Sequence, residues 1–185
     1  ALFLYATGRY AEAESLLREA LDPQRATLQP GHPDIIISLS NLAGVLKATG
    51  RYAEAEPLYR EALDLRRAAL PPGHPTIAAS LNNLADLLNA TGRHAEAETL
   101  YREALDLERS ALPSSDPTIV VSLNNFALFL HDTGRYAEAE PLYREALDLL
   151  RASLPPSHLA LAINLNNLAT LLWQMHRFSD SESAF

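Results

Sequence analysis

Apolar residues recur along the chain with the period of an α-helix. After Pro75 they fall on one helical face, at Leu81, Leu84, Ala85 and Leu88, with the i, i+3, i+4, i+7 spacing of an amphipathic helix. Pro75 suits the first turn of a helix, because the N–H that proline lacks would have no partner there. The pattern predicts a helix that begins at Pro75 and ends shortly before Gly92.

A second helix is predicted directly after the first. Gly92 marks the break, since glycine commonly stands just past the end of a helix. The apolar stripe of the following segment runs through Ala97, Leu100, Tyr101, Ala104 and Leu105. Pro113 ends this segment, so the second helix is predicted from about His94 to Ala111. The two helices together form a helical hairpin.

The hairpin pattern returns every 42 residues. One block that marks the repeat stands at Thr7–Tyr10, Thr49–Tyr52, Thr91–His94 and Thr133–Tyr136, with a weaker copy at Met175–Phe178. A second block, Leu-Asn-Asn-Leu-Ala, stands at 81–85 and 165–169, with variants at 39–43 and 123–127. A fixed period of this length is the signature of a repeat architecture.

The repeat predicts an all-α fold, an α-solenoid of stacked antiparallel helical hairpins. One hairpin cannot bury its apolar face alone, but stacked neighbours bury a continuous core. We therefore expect a single array over residues 1–185. Its parts are a partial repeat 1–35, the repeats 36–77, 78–119 and 120–161, and a partial repeat 162–185.

The second helix of each repeat carries charges opposite its apolar stripe. Glutamate precedes arginine by four residues at Glu14–Arg18, Glu56–Arg60, Glu98–Arg102 and Glu140–Arg144. This order stabilises a helix by a few tenths of a kcal/mol per pair. We interpret these charges as a solvated convex surface rather than as an active site.

The pattern resembles the tetratricopeptide repeat. Small residues such as Ala43, Ala55 and Ala62 stand where helices cross, and large aromatic residues such as Tyr52 and Tyr59 stand between them. The 42-residue period is similar to that of the kinesin-light-chain subtype. So are Gly-His-Pro at 31–33 and 73–75, the Asn-Asn-Leu-Ala block, and Ala-Glu-Pro-Leu-Tyr at 55–59 and 139–143.

The resemblance implies a right-handed superhelix whose first helices line a concave groove. It also implies that groove asparagines contact bound peptides, but it implies no kinesin partner, because the subtype is widespread in bacterial multidomain proteins. Aligned to the motif, the chain begins inside a first helix and ends inside a second one. We therefore expect a fragment of a longer, bacterial protein.

The composition excludes several functions. The formal net charge is −8 with only 15 Lys and Arg, which argues against nucleic acid and against an anionic membrane surface. No apolar run approaches the length of a membrane span, and no signal peptide is apparent. Cysteine is absent, so disulfides and thiolate chemistry are excluded. A cytoplasmic protein is the default.

The candidate binding residues lie on the side of the first helices that faces away from the apolar side. They are expected to line the peptide-binding groove: Asn41, Lys47, Asn82, Asn83, Asp86, Asn124, Asn125, Leu128, His131, Asn166, Asn167 and Trp173.

Asparagine is the informative residue type on this side. It costs a helix roughly half a kcal/mol relative to alanine, yet it recurs at Asn41, Asn83, Asn125 and Asn167. A side-chain amide offers two donors and an acceptor, which matches a peptide backbone. The row predicts a clamp for an extended segment. Alternatively, these asparagines bond to neighbouring helices or are relics of duplication, and for Asn82, Asn124 and Asn166, the first asparagine of each pair, both interpretations stay open.

Specificity is expected from the residues between the amides. Leu128, Trp173 and Tyr5 are candidates for apolar pockets, although a lone tryptophan in a solenoid also serves packing. Repeats that grip a terminal carboxylate need lysine and arginine in the groove, and here only Lys47 is basic, against Asp86 and Asp132. An acidic ligand is not indicated.

Catalysis is not expected. His32, His74 and His158 recur in the loops between repeats, with Asp116 in the remaining copy, and are interpreted as the starts of helices. Because each repeat supplies only one such residue, the residues lie too far apart to share a metal ion. No phosphate-binding loop, zinc-protease motif or nucleophile elbow is present, so no cofactor and no metal are predicted.

Three functions compete. The first is a non-catalytic scaffold that binds a peptide or partner segment in the groove. The second is a structural module that self-associates through exposed terminal repeats. The third is a regulatory region of a larger multidomain protein.

Overall fold

The computed structural model describes residues 8–155 and 157–182, the last seven of them as backbone alone. Its regular secondary structure is α-helical throughout this part. The helices are α1 (Tyr10–Thr27), α2 (Pro33–Ala48), α3 (Tyr52–Ala69), α4 (Pro75–Ala90), α5 (His94–Ala111), α6 (Ile119–Asp132), α7 (Tyr136–Ser153) and α8 (Leu159–Glu182). The two helices predicted between Pro75 and Ala111 are confirmed. We call α2, α4, α6 and α8 the first helices, and α1, α3, α5 and α7 the second helices.

The helices form two compact units, residues 1–100 and 101–185, whose boundary falls inside α5. In the first unit α1 packs on α2, α2 on α3 and α3 on α4. In the second unit α6 packs on α7 and α7 on α8. Each unit therefore consists of neighbouring helices stacked in chain order. The organisation as one array over 1–185, with the repeat boundaries given above, stays a prediction, as does the right-handed superhelix.

Alanine stands where the helices approach most closely. In the first unit Ala43 and Ala55 have no exposed surface, and in the second unit the same holds for Ala127 and Ala139. A residue with no side chain beyond Cβ lets two helix axes come close together. The small positions expected from the sequence therefore form the centres of the helical hairpins.

The first helices begin at a side-chain cap. Nδ1 of His32, His74 and His158 accepts a hydrogen bond from the backbone N–H two residues later, at 3.2–3.3 Å. Asp116 does the same through Oδ1, 2.9 Å from the backbone nitrogen of Thr118. These bonds satisfy backbone donors that a helix leaves free at its start. This interpretation is confirmed for the three histidines, whereas Asp116 bonds to Thr118, one residue ahead of α6, which begins at Ile119.

We predict that His74→Ala lowers the free energy of unfolding by about 1 kcal/mol, because the cap at the start of α4 is lost. His74→Asp should keep the stability, since Asp116 already fills the equivalent position. Urea unfolding followed by circular dichroism measures both variants. An alanine variant as stable as the aspartate variant would show that the histidine cap contributes nothing.

The turn between the helices of a hairpin depends on threonine and glycine. Thr49 Oγ1 donates hydrogen bonds to the carbonyl oxygens of Val45 and Leu46, at 3.1 and 3.0 Å. Gly50 then takes a φ of 76°, in the left-handed region that costs other residues about 1–2 kcal/mol. The same pair recurs at 91–92 and 133–134, so the Thr-Gly block marks the end of α2, α4 and α6.

The last helix departs from the expected hairpin. The weak copy of the turn block, Met175–Phe178, predicted a turn, but α8 continues through it to Glu182. Methionine and histidine stand where the other copies have threonine and glycine. Without the hydroxyl cap and without a residue suited to positive φ, nothing local ends the helix. The prediction that the chain ends inside a separate second helix is wrong for the described residues.

Arginine residues of the turn join consecutive repeats. Arg51 lies 2.7 Å from Glu14, 37 residues earlier, and 2.7 Å from Glu54. Arg93 contacts Glu56 and Glu96 in the same way, at 2.7 and 2.6 Å. The hydrogen bonds from Arg51 hold the pKa of the Glu54 carboxyl below its usual value. The predicted pairs four residues apart at 14–18, 56–60 and 140–144 are confirmed, but the links between repeats were not foreseen.

Glu108 is a buried acid in the second unit. Its side chain is only 4% exposed, and one carboxyl oxygen has no hydrogen-bond partner. Burial raises the pKa of this carboxyl, a hydrogen bond with Ser122 opposes the rise, and the charge of Asp116 adds to it. The folded protein therefore holds this proton to a higher pH than the unfolded chain does, and ionisation of Glu108 works against folding.

We predict that Glu108→Gln raises the free energy of unfolding at pH 7 by about 1–2 kcal/mol, because a neutral amide is cheaper to bury than a carboxylate. Gln24 fills the same position of the first repeat. The gain should vanish as the pH falls below about 4, where the carboxyl is neutral in both states. Denaturant titrations at several pH values test this, with the exposed Asp106→Asn as control. A gain that is independent of pH would contradict the prediction.

Candidate functional site

The side of the first helices that the sequence singled out is largely open to solvent. In each unit we give the name first-helix face to the surface of its candidate residues, together with Ile37 and Ala79 in the first unit and with Val121 and Ile163 in the second. In the first unit Ile37 is 51% exposed, Ala79 is exposed, and Asn41 and Asn83 are half-buried. Tyr5 lies outside the described residues.

Two charged candidates of the first unit are joined to each other. Nζ of Lys47 lies 3.3 Å from Oδ2 of Asp86, so the pair connects α2 with α4 across the first-helix face. Their side chains are 30% and 37% exposed. A ligand charge must therefore compete with an existing ion pair. The prediction that an acidic ligand is not favoured agrees with this arrangement, because Lys47 is already neutralised.

Two of the asparagine candidates do not fit a peptide-binding role. Asn82 is only 3% exposed, so a peptide on the surface cannot reach it, and its inclusion among the site residues is corrected here. Oδ1 of Asn124 accepts a hydrogen bond from the buried Asn164, at 2.6 Å, which joins α6 to α8. For Asn124 the alternative interpretation, a bond to a neighbouring helix, is the observed one. Asn166 is exposed on α8.

The main row of asparagines is placed differently. Asn41 and Asn83 in the first unit, and Asn125 and Asn167 in the second, are half-buried on the first-helix face. Their side-chain amides make no hydrogen bond to any other residue that the structure describes. Each repeat thus keeps an amide that costs helix stability and engages no neighbour. This combination favours a role in binding over a role in folding.

Apolar side chains flank the amides of the second unit. Val121 is 61% exposed and Leu128 50% on α6, and Ile163 is 53% and Trp173 59% on α8. Exposed β-branched and aromatic residues in one cluster are unusual on a solvated helix and commonly mark an interaction surface. Val121 and Ile163 occupy positions that helical spacing already places on this face, although they are not among the candidate binding residues.

His131 closes one end of this surface. Its Nδ1 lies 3.2 Å from Oδ1 of Asp132, and its ring lies 5.5 Å from the ring of Tyr136. Nε2 is shielded from solvent and has no hydrogen-bond partner among the described residues. The ring is held by its neighbours, and no nucleophile stands beside it. His131 forms no catalytic group with the residues around it, and its shielded Nε2 is not open to a ligand on the surface.

A shallow depression of about 470 Å³ lies in the first unit, beside the turns that precede α3 and α5. Its lining residues include Arg51, Glu54, Glu56 and Arg93. Both arginines are already paired with glutamates. The charges of the depression are balanced within the protein, so it offers no surplus charge to a ligand.

In the part of the chain that the structure describes, no three His, Cys, Asp or Glu side chains come together as a possible metal site. None of the described helices is long and apolar enough to cross a membrane.

Stacked helical hairpins with an open face of amide and apolar side chains define the class of α-helical repeat proteins. A family model described as tetratricopeptide repeat matches residues 1–68, 34–110 and 118–185. The chain belongs to the tetratricopeptide repeat family. Repeats of this family generally mediate protein–protein interaction. No curated protein matches the sequence at a significant level.

Solved structures of kinesin-light-chain-like repeats are similar to the chain. The nearly identical TPR-like repeats of a kinesin light chain from Podosopora anserina share 24% identity at a TM-score of 0.77, over 97% of this chain and 85% of that chain. A single-residue variant of them has a TM-score of 0.78. BtubC (BKLC) from P. vanneervenii shares 23% identity with a TM-score of 0.74. The match covers 90% of this chain and 66% of the BtubC chain. At these identities the similarity shows the fold.

Proposed function

We propose that the chain is a non-catalytic, cytoplasmic interaction scaffold that binds an extended peptide or partner segment on the first-helix face. The observation that carries the proposal is the row of half-buried asparagines whose amides bond to no other residue that the structure describes, above all Asn125 and Asn167. An amide can both donate to and accept from a peptide backbone. Binding of this kind contacts the peptide backbone and does not depend on the side chains of the bound segment.

The apolar neighbours give the ligand its character. Val121 and Leu128 are seven residues apart on α6, which places them about 10 Å apart along the helix. An extended peptide in the polyproline II conformation rises about 3.1 Å per residue with three residues per turn, so apolar side chains three positions apart lie on one side at about this spacing. The net charge of −8 and the neutralised Lys47 disfavour an acidic segment. The ligand class is therefore an extended segment with apolar anchors and no cluster of acidic residues.

Selection from a peptide display library tests the proposal. We expect the wild-type chain to enrich a common motif with two apolar positions, and we expect Asn125→Ala/Asn167→Ala to lose that motif while keeping its helical content. The matched control is Asp106→Ala/Asp148→Ala, which removes two exposed polar side chains from second helices of the same unit.

Either of two results would contradict the proposal. If the asparagine variant enriches the same motif as the wild type, the amides are not the binding device. If the wild type enriches nothing, the first-helix face does not bind short extended segments.

A further inference from the structure

Asp132, at the end of α6, departs from the repeat. The equivalent positions are alanine in α2 and α4, at Ala48 and Ala90, and glutamine in α8, at Gln174. Asp132 is the one Asp, Glu, Lys or Arg residue of α6, and α8 carries none from Leu159 to Met175. The first-helix face of the second unit therefore has a single acidic residue beside it and no basic side chain other than His131.

The charge of Asp132 is not compensated within the chain that the structure describes. Asp132 is the last residue of α6, where the negative end of the helix dipole disfavours a second negative charge. Its side chain is 51% exposed, and no lysine or arginine of the described residues pairs with it. Arg135, in the turn that follows, pairs with Glu138 at 2.7 Å instead. This placement lowers the stability of α6 and gains no ion pair in return.

His131 holds the carboxylate in place. Nδ1 of His131 lies 3.2 Å from Oδ1 of Asp132, and since a carboxylate only accepts hydrogen bonds, the ring N–H is the donor. The ring in turn lies 5.5 Å from the ring of Tyr136. A hydrogen bond from a neutral imidazole orients the carboxylate and leaves its negative charge. Asp132 is therefore an oriented, charged acceptor that is open to solvent.

The exposed apolar residues of α6 lie next to this acceptor. Asp132 follows Leu128 by four residues, which places both side chains on one side of the helix, about 6 Å apart along its axis. Leu128 is 50% exposed and Val121 61%. In the polyproline II conformation, with about 3.1 Å per residue, 6 Å corresponds to about two residues. A segment anchored at Val121 and Leu128 thus brings a long side chain two or three positions further on to Asp132.

We propose that Asp132 binds a lysine or arginine of the partner segment, two or three positions from an apolar anchor residue. This inference rests on the function proposed above and narrows it, because the ligand must be basic at one end. A cation of the ligand would compensate both the carboxylate and the negative end of α6. The net charge of −8 also attracts a basic segment from a distance.

A peptide display library of defined chemistry tests the proposal. Two apolar residues are fixed three positions apart, and the three positions on either side of the pair are varied. We expect the wild-type chain to enrich lysine or arginine two or three positions from an apolar residue. Asp132→Asn should keep the apolar residues of the motif and lose the basic one. Asp132→Lys should select aspartate or glutamate at the same position, because complementary charge sets the preference.

Isothermal titration calorimetry gives the size of the effect. Replacing the selected basic residue by glutamine should weaken binding to the wild type about 5-fold, the effect of one exposed ion pair, and should leave binding to Asp132→Asn unchanged. The affinity of the wild type should fall as salt is added. The matched control is Asp148→Asn, which removes the same charge from α7, where the side chain is 79% exposed, and should bind like the wild type.

The stability of Asp132→Asn separates binding from folding. Because the charge of Asp132 opposes the dipole of α6, the variant should unfold at the same urea concentration as the wild type or at a higher one. Circular dichroism follows the transition. A variant that unfolds at a lower urea concentration would show that Asp132 serves the fold, which would contradict the proposal.

Three results of the selection would overturn the proposal. An enriched motif with neutral or acidic residues at the varied positions would do so, as would basic residues that Asp132→Asn still selects. In both cases peptide binding on the first-helix face would stand. If the wild type enriches no motif at all, the proposed function fails together with this inference.

Discussion

Leu123→Ala is expected to lower the free energy of unfolding by about 2–5 kcal/mol, the range for removing a fully buried leucine side chain. Leu123 has no exposed surface, and it lies in α6 beside Ala127, where the hairpin with α7 is most closely packed. The lost methyl groups leave a cavity that two rigid helices cannot close. Urea unfolding monitored by circular dichroism measures the loss.

Leu165→Ala is the matched control. It changes the same residue type at the same repeat position, but Leu165 is 44% exposed, so in dilute solution the loss should be below about 1 kcal/mol. The two variants thus separate the burial of the position from the identity of the side chain. Equal losses would show that Leu165 is covered within a single chain, against the exposure that the structure gives it.

The second large effect concerns Trp173 and Leu128. For any motif selected by the display experiment, Trp173→Ala should weaken binding by about 30-fold or more, as expected for an aromatic residue at the centre of an interface. Leu128→Ala should weaken binding less, because leucine contributes less contact surface. Isothermal titration calorimetry of the selected peptide measures both affinities.

Leu16→Ala controls for the loss of an exposed apolar side chain elsewhere. Leu16 is 46% exposed on α1, away from the first-helix face, and its replacement should leave the affinity unchanged. If Trp173→Ala binds like the wild type, the apolar residues of the second unit are not the anchors. The peptide would then be held elsewhere, even if the asparagines prove necessary.

Most of the fold was predictable from the sequence because its signals are local. Proline at the first position, histidine at the cap and the Thr-Gly turn each act within a few residues, so the bounds of α4 and α5 follow from the pattern alone. The last repeat shows the limit of this reasoning. The apolar pattern around Met175–Phe178 still suggested a repeat, but the turn chemistry had been lost, and α8 continues through it.

The candidate site was predictable in position but not in detail. Helical periodicity placed Asn125 and Trp173 correctly on an exposed face. It could not show that Asn82 is buried while Asn83 is half-buried, because the two are neighbours and the difference arises from packing. Nor could it show that Lys47 and Asp86 pair with each other, since they belong to different repeats. Pairings over 39 residues depend on how the repeats stack, and one sequence without its fold does not specify this.

The turn arginines also bear on how such a chain can change its length. Arg51 reaches a glutamate 37 residues back, and Arg93 does the same, while Arg25 and Arg109 each reach a glutamate 36 residues ahead. Because these separations are the same in different repeats, a duplication or deletion of 42 residues brings each new neighbour its matching charge. Insertion of a single residue changes the separation of every such pair that spans the insertion point. Gain and loss of whole repeats is therefore the kind of length change that this molecule tolerates most easily.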